Sequence, residues 1–347
     1  ASILSVDPNP INIANLSAEQ KLAYDKYIQR ENVFITGPGG SGKTSLIKLI
    51  REHAYSNDRT LFVTALTGCA AILLNCNAKT VHSWAGIGLG NKSLEDLIKI
   101  IRRRKPVLTN WVTADVLVVD EVSMLSLKLF NLLNGLGKAL RRCSKPFGGI
   151  QLIFAGDFYQ LPPVGNIDDP DSQRFCFESD EWNLTFRKPN QICLKTVFRQ
   201  TDNEFSSMLN QIREGKIKKK SNERLSHYVG RTKPETMIIE PTKLYPTKKK
   251  VFELNTRKLS QLTTPLVTFE MKLRTDLPIN GKEAREKRNG FNEKDIEFEL
   301  AYLSANVTGE KVLTVKLGAQ VMCVVNVRSD VDDILICNGS QGIITDF

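Results

Sequence analysis

The chain has 347 residues and carries 48 Lys and Arg against 38 Asp and Glu, a formal charge of +10. That length suits two domains with separate cores, and the positive balance suits a polyanionic partner. No apolar run approaches a membrane span, the three His lack zinc-site spacing, and seven Cys without a Cys-x-x-Cys pair argue for reduced thiols inside a cell rather than a disulfide framework.

Leu16-Ser-Ala-Glu-Gln20 opens the first expected helix, with Ser17 as N-cap and Gln20 in the reciprocal capping-box place. Leu22, Tyr24, Tyr27 and Ile28 would form its apolar face. Gln20 has two compatible readings, a cap and a contact to adenine. Asn32-Val-Phe-Ile-Thr36 then reads as a strand and Ser45–Ile50 as a helix. Between them lies Gly37-Pro-Gly-Gly-Ser-Gly-Lys-Thr44, the strand–loop–helix context that a phosphate cradle needs. Gly37, Gly39, Gly40 and Gly42 remove the Cβ penalty where backbone wraps around oxygen atoms. The loop amides, Ser41 included, point inward, and the positive end of the next helix favours anions. Lys43 would bridge the β- and γ-phosphates and Thr44 would offer its hydroxyl to magnesium, so ATP and Mg2+ are the expected cofactors.

Thr60–Leu66 reads as a second buried strand leading into the small-residue turn Thr67-Gly68-Cys69-Ala70-Ala71 and another helix. Thr80–Gly90 mixes polar, aromatic and glycine residues and reads as a loop, where His82 and Trp84 could meet a nucleotide's phosphate and base. Val116–Val119 is continuously apolar, as in a parallel strand buried on both faces. Asp120 and Glu121 end it, where α/β sheets place their ligands. Asp120 is the candidate magnesium carboxylate and Glu121 the base that orients water. Ile150–Ala155 is a further buried strand, followed by Gly156-Asp157 and by Gln160, which could sense a terminal phosphate. Leu161-Pro162-Pro163 stiffens the exit. Alternating strands and helices argue a parallel sheet covered on both faces, and the three motifs together point to a nucleic-acid-dependent ATPase.

After residue 195 the composition changes. A helix with Phe205, Met208, Leu209 and Ile212 precedes the charged, exposed stretch Lys216–Glu223. Met237–Glu240 reads as the first strand of a second sheet, and a helix carries Val251, Leu254 and Leu259. Residues 274–297 read as a long polar loop, Lys316–Asn326 as a turn feeding a strand, and Ile334–Phe347 as a hairpin around Asn338-Gly339. The basic clusters at Arg102–Lys105, Arg141-Arg142, Lys216–Lys220 and Lys248–Lys250 read singly as solvated faces.

In these residues the chain resembles the PIF (petite integration frequency) helicases, in the superfamily-1 branch that moves 5′→3′ on DNA. The resemblance runs from about Leu16 to Phe347. It is carried by Leu16–Gln20, Gly37–Thr44, Thr67–Ala71, Thr80–Gly90, Asp120–Met124, Gly148–Val164, Phe198-Arg-Gln200, Leu244–Lys248 with Asn255, and Gly318–Met322 with Asn338-Gly339. It implies an α/β P-loop NTPase with two RecA-like domains on parallel sheets, residues 1–195 and 196–347, the second incomplete. A small wedge insertion would lie within about 82–106. By this similarity Gln20 contacts adenine, Lys43 and Thr44 hold phosphate and magnesium, and Asp120 and Glu121 complete hydrolysis. Gln160 would couple the γ-phosphate to DNA, and Arg199 would be the arginine finger. Thr67, Gly68 and His82 would track the DNA backbone, with Trp84 and Pro162 completing the DNA-contacting set.

The implied activity is ATP-driven strand separation in genome replication, repair, recombination or maintenance. The implied partners are single-stranded and forked or otherwise structured DNA, with replication or repair proteins beside them. The protein is expected to be a monomer before DNA binds and to have no membrane partner. It would act in the nucleus or mitochondrion if eukaryotic, or in a host cell if viral. In the family a small-barrel insertion, a Lys-Ser-Gln-Gly motif and a second cleft arginine follow the Asn338-Gly339 hairpin. Here they are absent, so the chain is expected to be a fragment of a longer product, or else a partner-completed half, with an incompletely packed second domain. Two alternatives stand beside the motor: a module that binds nucleotide and single-stranded DNA with little turnover, and a RecD-like ATPase subunit of a recombination nuclease.

Overall fold

A computed structural model of the chain describes residues 13–74, 76, 78–88, 90, 92–200, 202–230, 239–272, 297, 300–301, 304, 309–324 and 340–347. By internal contacts the chain divides into Ala1–Leu225 and Ser226–Phe347. Residues 196–225, expected with the second domain, therefore pack with the first unit.

The first unit runs α1 (Ala18–Ile28), β1 (Val33–Thr36), α2 (Lys43–Ser56), β2 (Leu61–Ala65), α3 (Gly68–Leu73), β3 (Lys79–Thr80), α4 (Val81–Ala85), α5 (Leu94–Arg103), α6 (Lys105–Thr113), β4 (Val116–Asp120), α7 (Leu127–Arg141), β5 (Gln151–Gly156), α8 (Trp182–Thr185), β6 (Gln191–Cys193) and α9 (Asn203–Arg213), and α10 (Lys219–Ser226) spans the boundary at its last residue. Its six strands lie in the order β3-β2-β4-β5-β1-β6, and every pairing is parallel. Alternation along the strands divides their side chains between two apolar layers. Phe34, Leu117, Val119, Leu152 and Phe154 enter one layer, with residues of α4 to α7. Val33, Ile35, Val116, Val118, Ile153 and Ala155 enter the other, with residues of α1 and α2. Both faces are thus covered, which is why these strands read as continuous apolar runs.

Ser17 and Gln20 form the expected capping box on α1. The helix buries Gln20, Ala23, Tyr24 and Tyr27, a single stripe at helical spacing. Leu22 and Ile28, expected on that face, are 47% and 43% exposed, because the stripe passes through Gln20 instead.

Thr80–Gly90, expected as a loop, is helical over Val81–Ala85, while Gly86–Gly88 and Gly90 are turn or irregular. The Thr80 hydroxyl accepts from Ser83 N at 3.3 Å and caps α4, which Gly86 ends at φ 68°. α4, α5 and α6 occupy the region expected as a wedge, and Leu97, Ile101 and Trp111 join the first apolar layer. Arg141, in a basic cluster read as a solvated face, is instead a structural clamp. Its Nη1 donates to Trp111 O (2.6 Å), Val112 O (2.9 Å) and Ala114 O (3.1 Å), and its Nε to Gly148 O (2.8 Å).

The second unit contains α11 (Lys248–Ser260), β7 (Leu266–Glu270), β8 (Val312–Lys316), β9 (Gln320–Met322) and β10 (Gln341–Ile343). β7 pairs antiparallel with β8, and β9 with β10. The parallel sheet expected for a second RecA-like domain is not formed among the described residues of this unit. Met237 and Ile238 of the expected strand, 274–296 of the expected loop, and 334–339 of the expected hairpin lie outside the described residues.

Candidate functional site

The site forms at the carboxyl ends of β1, β4 and β5, three strands adjacent in the sheet. After β1 the backbone passes through Gly37 (φ 145°), Gly40 (φ 81°) and Gly42 (φ 83°) before α2 begins at Lys43. Two of these glycines have a further reason beyond their dihedrals. A Cβ on Gly40 would stand 2.5 Å from Arg199 Cβ, and one on Gly42 would strike Gln20 Nε2 and lie 3.5 Å from the Phe198 ring. Phe198 N–H also donates to Gly40 O at 2.8 Å. The segment carrying Arg199 therefore lies directly on the phosphate loop.

Lys43 Nζ donates to Gly37 O (2.7 Å) and Pro38 O (3.1 Å). Burial pulls its pKa below the usual lysine value, against the opposing charges of Asp157, Asp120 and Glu121. Gln20 is 4% exposed. Its Oε1 accepts from Ser17 N at 2.9 Å, while Nε2 makes longer contacts to Ser41 O (3.5 Å) and Gly42 O (3.4 Å). The cap reading is realised, and the amide nitrogen stands at the loop.

Ser41 Oγ is buried in the loop without a hydrogen-bond partner. Such a hydroxyl is costly unless something pairs with it, so the loop fits an oxygen-rich ligand. Thr44 is exposed in the first turn of α2. Among the described residues no three His, Cys, Asp or Glu gather as a metal cluster. The Thr44 hydroxyl and Asp120 carboxylate offer hard oxygen ligands, which suits a magnesium ion completed by phosphate and water.

Asp120 ends β4 and is 7% exposed. Burial pushes its pKa up to about 6, partly offset by the hydrogen bond from Glu121 N, which is 2.9 Å long. Glu121 itself is left-handed (φ 57°, ψ 40°), a conformation that costs a residue with a Cβ about 1–2 kcal/mol. Strain of this kind gathers at functional positions. Gly156 makes room for that turn, since a Cβ there would lie 2.8 Å from Val122 N.

Asp157, the residue after β5, is 1% exposed. Burial would raise its pKa, but hydrogen bonds from Arg213, Tyr159 N and Gln160 hold it below the usual carboxylate value. Arg213 grips both oxygens, Nε to Oδ2 and Nη2 to Oδ1, each at 2.7 Å. Gln160 Nε2 donates to Asp157 Oδ2 at 3.2 Å, so Gln160 is oriented by a carboxylate beside Lys43. Asp157, Phe198 and Arg213 received no role from the sequence. Asp157 and Phe198 lie inside noted motifs, but nothing in the string links Arg213 to Asp157.

The expected DNA-contacting residues fare differently. Thr67 and Gly68 are half-buried at the start of α3, and Thr67 Oγ1 accepts from Ala70 N at 3.2 Å. His82 is half-buried, and burial lowers its pKa. Pro162 is exposed, next to Leu161 at 69% exposure. Trp84 is corrected: it is 1% exposed, with its ring centroid 4.7 Å from that of Trp111 and 5.8 Å from that of Phe62. It is a core residue because α4 turns it inward, so it offers no platform to a base.

A family model described as PIF1-like helicase matches residues 15–223. A second, described as the DNA helicase Pif1 2B domain, matches 299–347. Among relatives, the chain is 34% identical to ATP-dependent DNA helicase RRM3 of Saccharomyces cerevisiae, over 96% of this chain and 42% of that one. It is 36% identical to ATP-dependent DNA helicase PIF1 of Candida albicans, over 96% of this chain and 34% of that one. The crystal structure of Pif1 helicase from Candida albicans matches with a TM-score of 0.73 at 34% identity, covering 95% of this chain and 69% of that one. The chain thus spans less than half the length of these two curated relatives.

Proposed function

The chain belongs to the PIF1-like helicase family, and on that premise we propose that it is an ATP-dependent DNA helicase moving 5′→3′ on single-stranded DNA. The observation that supports this best is the meeting of Lys43, Asp120, Glu121 and Asp157 at adjacent strand ends, with Arg199 lying on the loop at Gly40. ATP with magnesium would supply the free energy by γ-phosphoryl transfer to water.

The chain's own residues prepare that transfer. Lys43 exchanges the carbonyls of Gly37 and Pro38 for phosphate oxygens. Thr44 and Asp120 would hold the magnesium, and Glu121 would orient the attacking water and accept its proton. Arg199 would neutralise charge on the transferred group, while Gln160, held by Asp157, precedes the exposed residues Leu161-Pro162 and would couple the two. Gln20 gives up its long contacts to the loop carbonyls to meet adenine. Thr67, Gly68, His82 and Pro162 form the DNA face, as single-stranded and forked DNA require, with replication or repair proteins as further partners.

The free cysteines Cys76, Cys143, Cys176 and Cys193, among the described residues, support a reducing compartment such as nucleus, mitochondrial matrix or host cell. Among the described residues no helix is long and apolar enough to cross a membrane.

The test is steady-state ATP hydrolysis with and without a single-stranded oligonucleotide, for the parent chain, Lys43→Ala and Glu121→Gln. DNA-stimulated turnover that both variants lose is expected, and Arg199→Ala should lose about 10³-fold or more in kcat. Turnover retained by Lys43→Ala overturns the assignment. Faster unwinding of a 5′-tailed than a 3′-tailed duplex tests the polarity.

A further inference from the structure

We propose that Asp157 and Arg213 are a positioning pair, which brackets Arg199 over the phosphate loop and sets the Gln160 side chain. The proposal rests on the reading of Lys43, Glu121 and Arg199 given above. Arg199 sits on a stretch held at two points. The near point is the hydrogen bond from Phe198 N to Gly40 O, 2.8 Å. The far point is Arg213, the last residue of α9, in its two-pronged contact with Asp157. Asp202 starts α9 three residues after Arg199, with Oδ1 accepting from Glu204 N (2.9 Å) and Phe205 N (3.0 Å).

Apolar packing does not do the same work. Of the residues of α9 only Met208 is buried, while Phe205, Leu209 and Ile212 are 40%, 38% and 47% exposed. A carboxylate as buried as Asp157 is costly without a partner, and a planar guanidinium satisfies both its oxygens at once. The Tyr159 ring lies 4.5 Å from the guanidinium carbon and limits its tilt. The same carboxylate accepts from Gln160, so one ion pair sets two groups of the reaction: the finger, through α9, and the glutamine, directly.

Arg213→Lys keeps the charge and loses the fork. We expect DNA-stimulated kcat to fall by roughly 10²-fold, as for displaced catalytic groups, with affinity for a fluorescent ATP analogue changed by less than about threefold. In Arg213→Ala, methylguanidinium added to the assay should restore part of the lost kcat, a readout that general loosening of the fold does not give. Normal kcat in both variants overturns the proposal. So does a parallel loss of kcat, nucleotide affinity and melting temperature without rescue, which marks a packing role. Lys43→Ala and Glu121→Gln run alongside. If they turn over normally, the reading of the site fails and the positioning role falls with it. If they are inactive while Arg213→Lys is normal, the positioning role alone fails.

Discussion

Gly137 lies in the interior of α7, where helix propensity alone makes alanine better by roughly 1 kcal/mol. The structure reverses that sign. A Cβ on Gly137 would stand 2.5 Å from the carbonyl carbon of Phe147, 2.6 Å from its oxygen and 2.8 Å from its Cα. These are backbone atoms, so no rotamer change relieves the clash. Phe147 is itself fixed, with a left-handed φ of 50° and its N–H donating to Asn134 Oδ1 at 2.8 Å. Opposite it, Gly148 (φ 66°) has no room for a Cβ against Gly137 O. Overpacking of this kind costs about 1–3 kcal/mol, enough to outweigh the propensity gain. A unit of this size should lose roughly 2–4 °C of melting temperature per kcal/mol. Gly135, two residues earlier, is the internal control. A Cβ there meets Leu94 Cδ2 at 3.0 Å and Cδ1 at 3.3 Å, the movable end of a side chain, so Gly135→Ala should be neutral or stabilising. Thermal and urea melts of the two variants decide the matter. A Gly137→Ala protein as stable as Gly135→Ala would refute the argument that backbone approach outweighs propensity.

Three further outcomes follow from the same contacts. Trp84→Ala should lose about 3–5 kcal/mol of stability, as for a large core truncation, and Trp84→Phe much less; an unchanged urea midpoint with lost DNA affinity would restore the base-stacking role. Gly40→Ala adds left-handed strain of about 1–2 kcal/mol and pushes Arg199 off the loop, so kcat should fall further than nucleotide affinity; equal losses would point to phosphate binding alone. His82 gives the pH dependence: burial holds its folded pKa below the ordinary histidine value, so the unfolded chain binds more protons in weak acid. Its contribution is therefore present above about pH 6.5 and lost as pH falls through the folded value, and His82→Gln should flatten the urea midpoint between roughly pH 7.5 and 5.5; parallel profiles would count against it.

Much of the site was legible along the string because its parts are local. A strand, a glycine loop and a helix in succession specify a phosphate cradle whatever surrounds them, and β1, Gly37–Thr44 and α2 form as read. Continuous apolar runs fixed β4 and β5 as buried strands, and hence the place of Asp120, Glu121 and Asp157 at their ends. What the string could not carry were contacts between residues far apart in it. Trp84 has the composition of a ligand platform and becomes core only because α4 turns it toward Trp111. Arg141 looked solvated until four carbonyls converged on it. Gly40 and Gly42 read as space for phosphate, whereas the fold also uses that space for Arg199, Gln20 and Phe198. Arg213 meets Asp157 only because α9 lies beside the end of β5. Local backbone chemistry is written in neighbouring letters, while burial and pairing depend on which segments the sheet brings side by side.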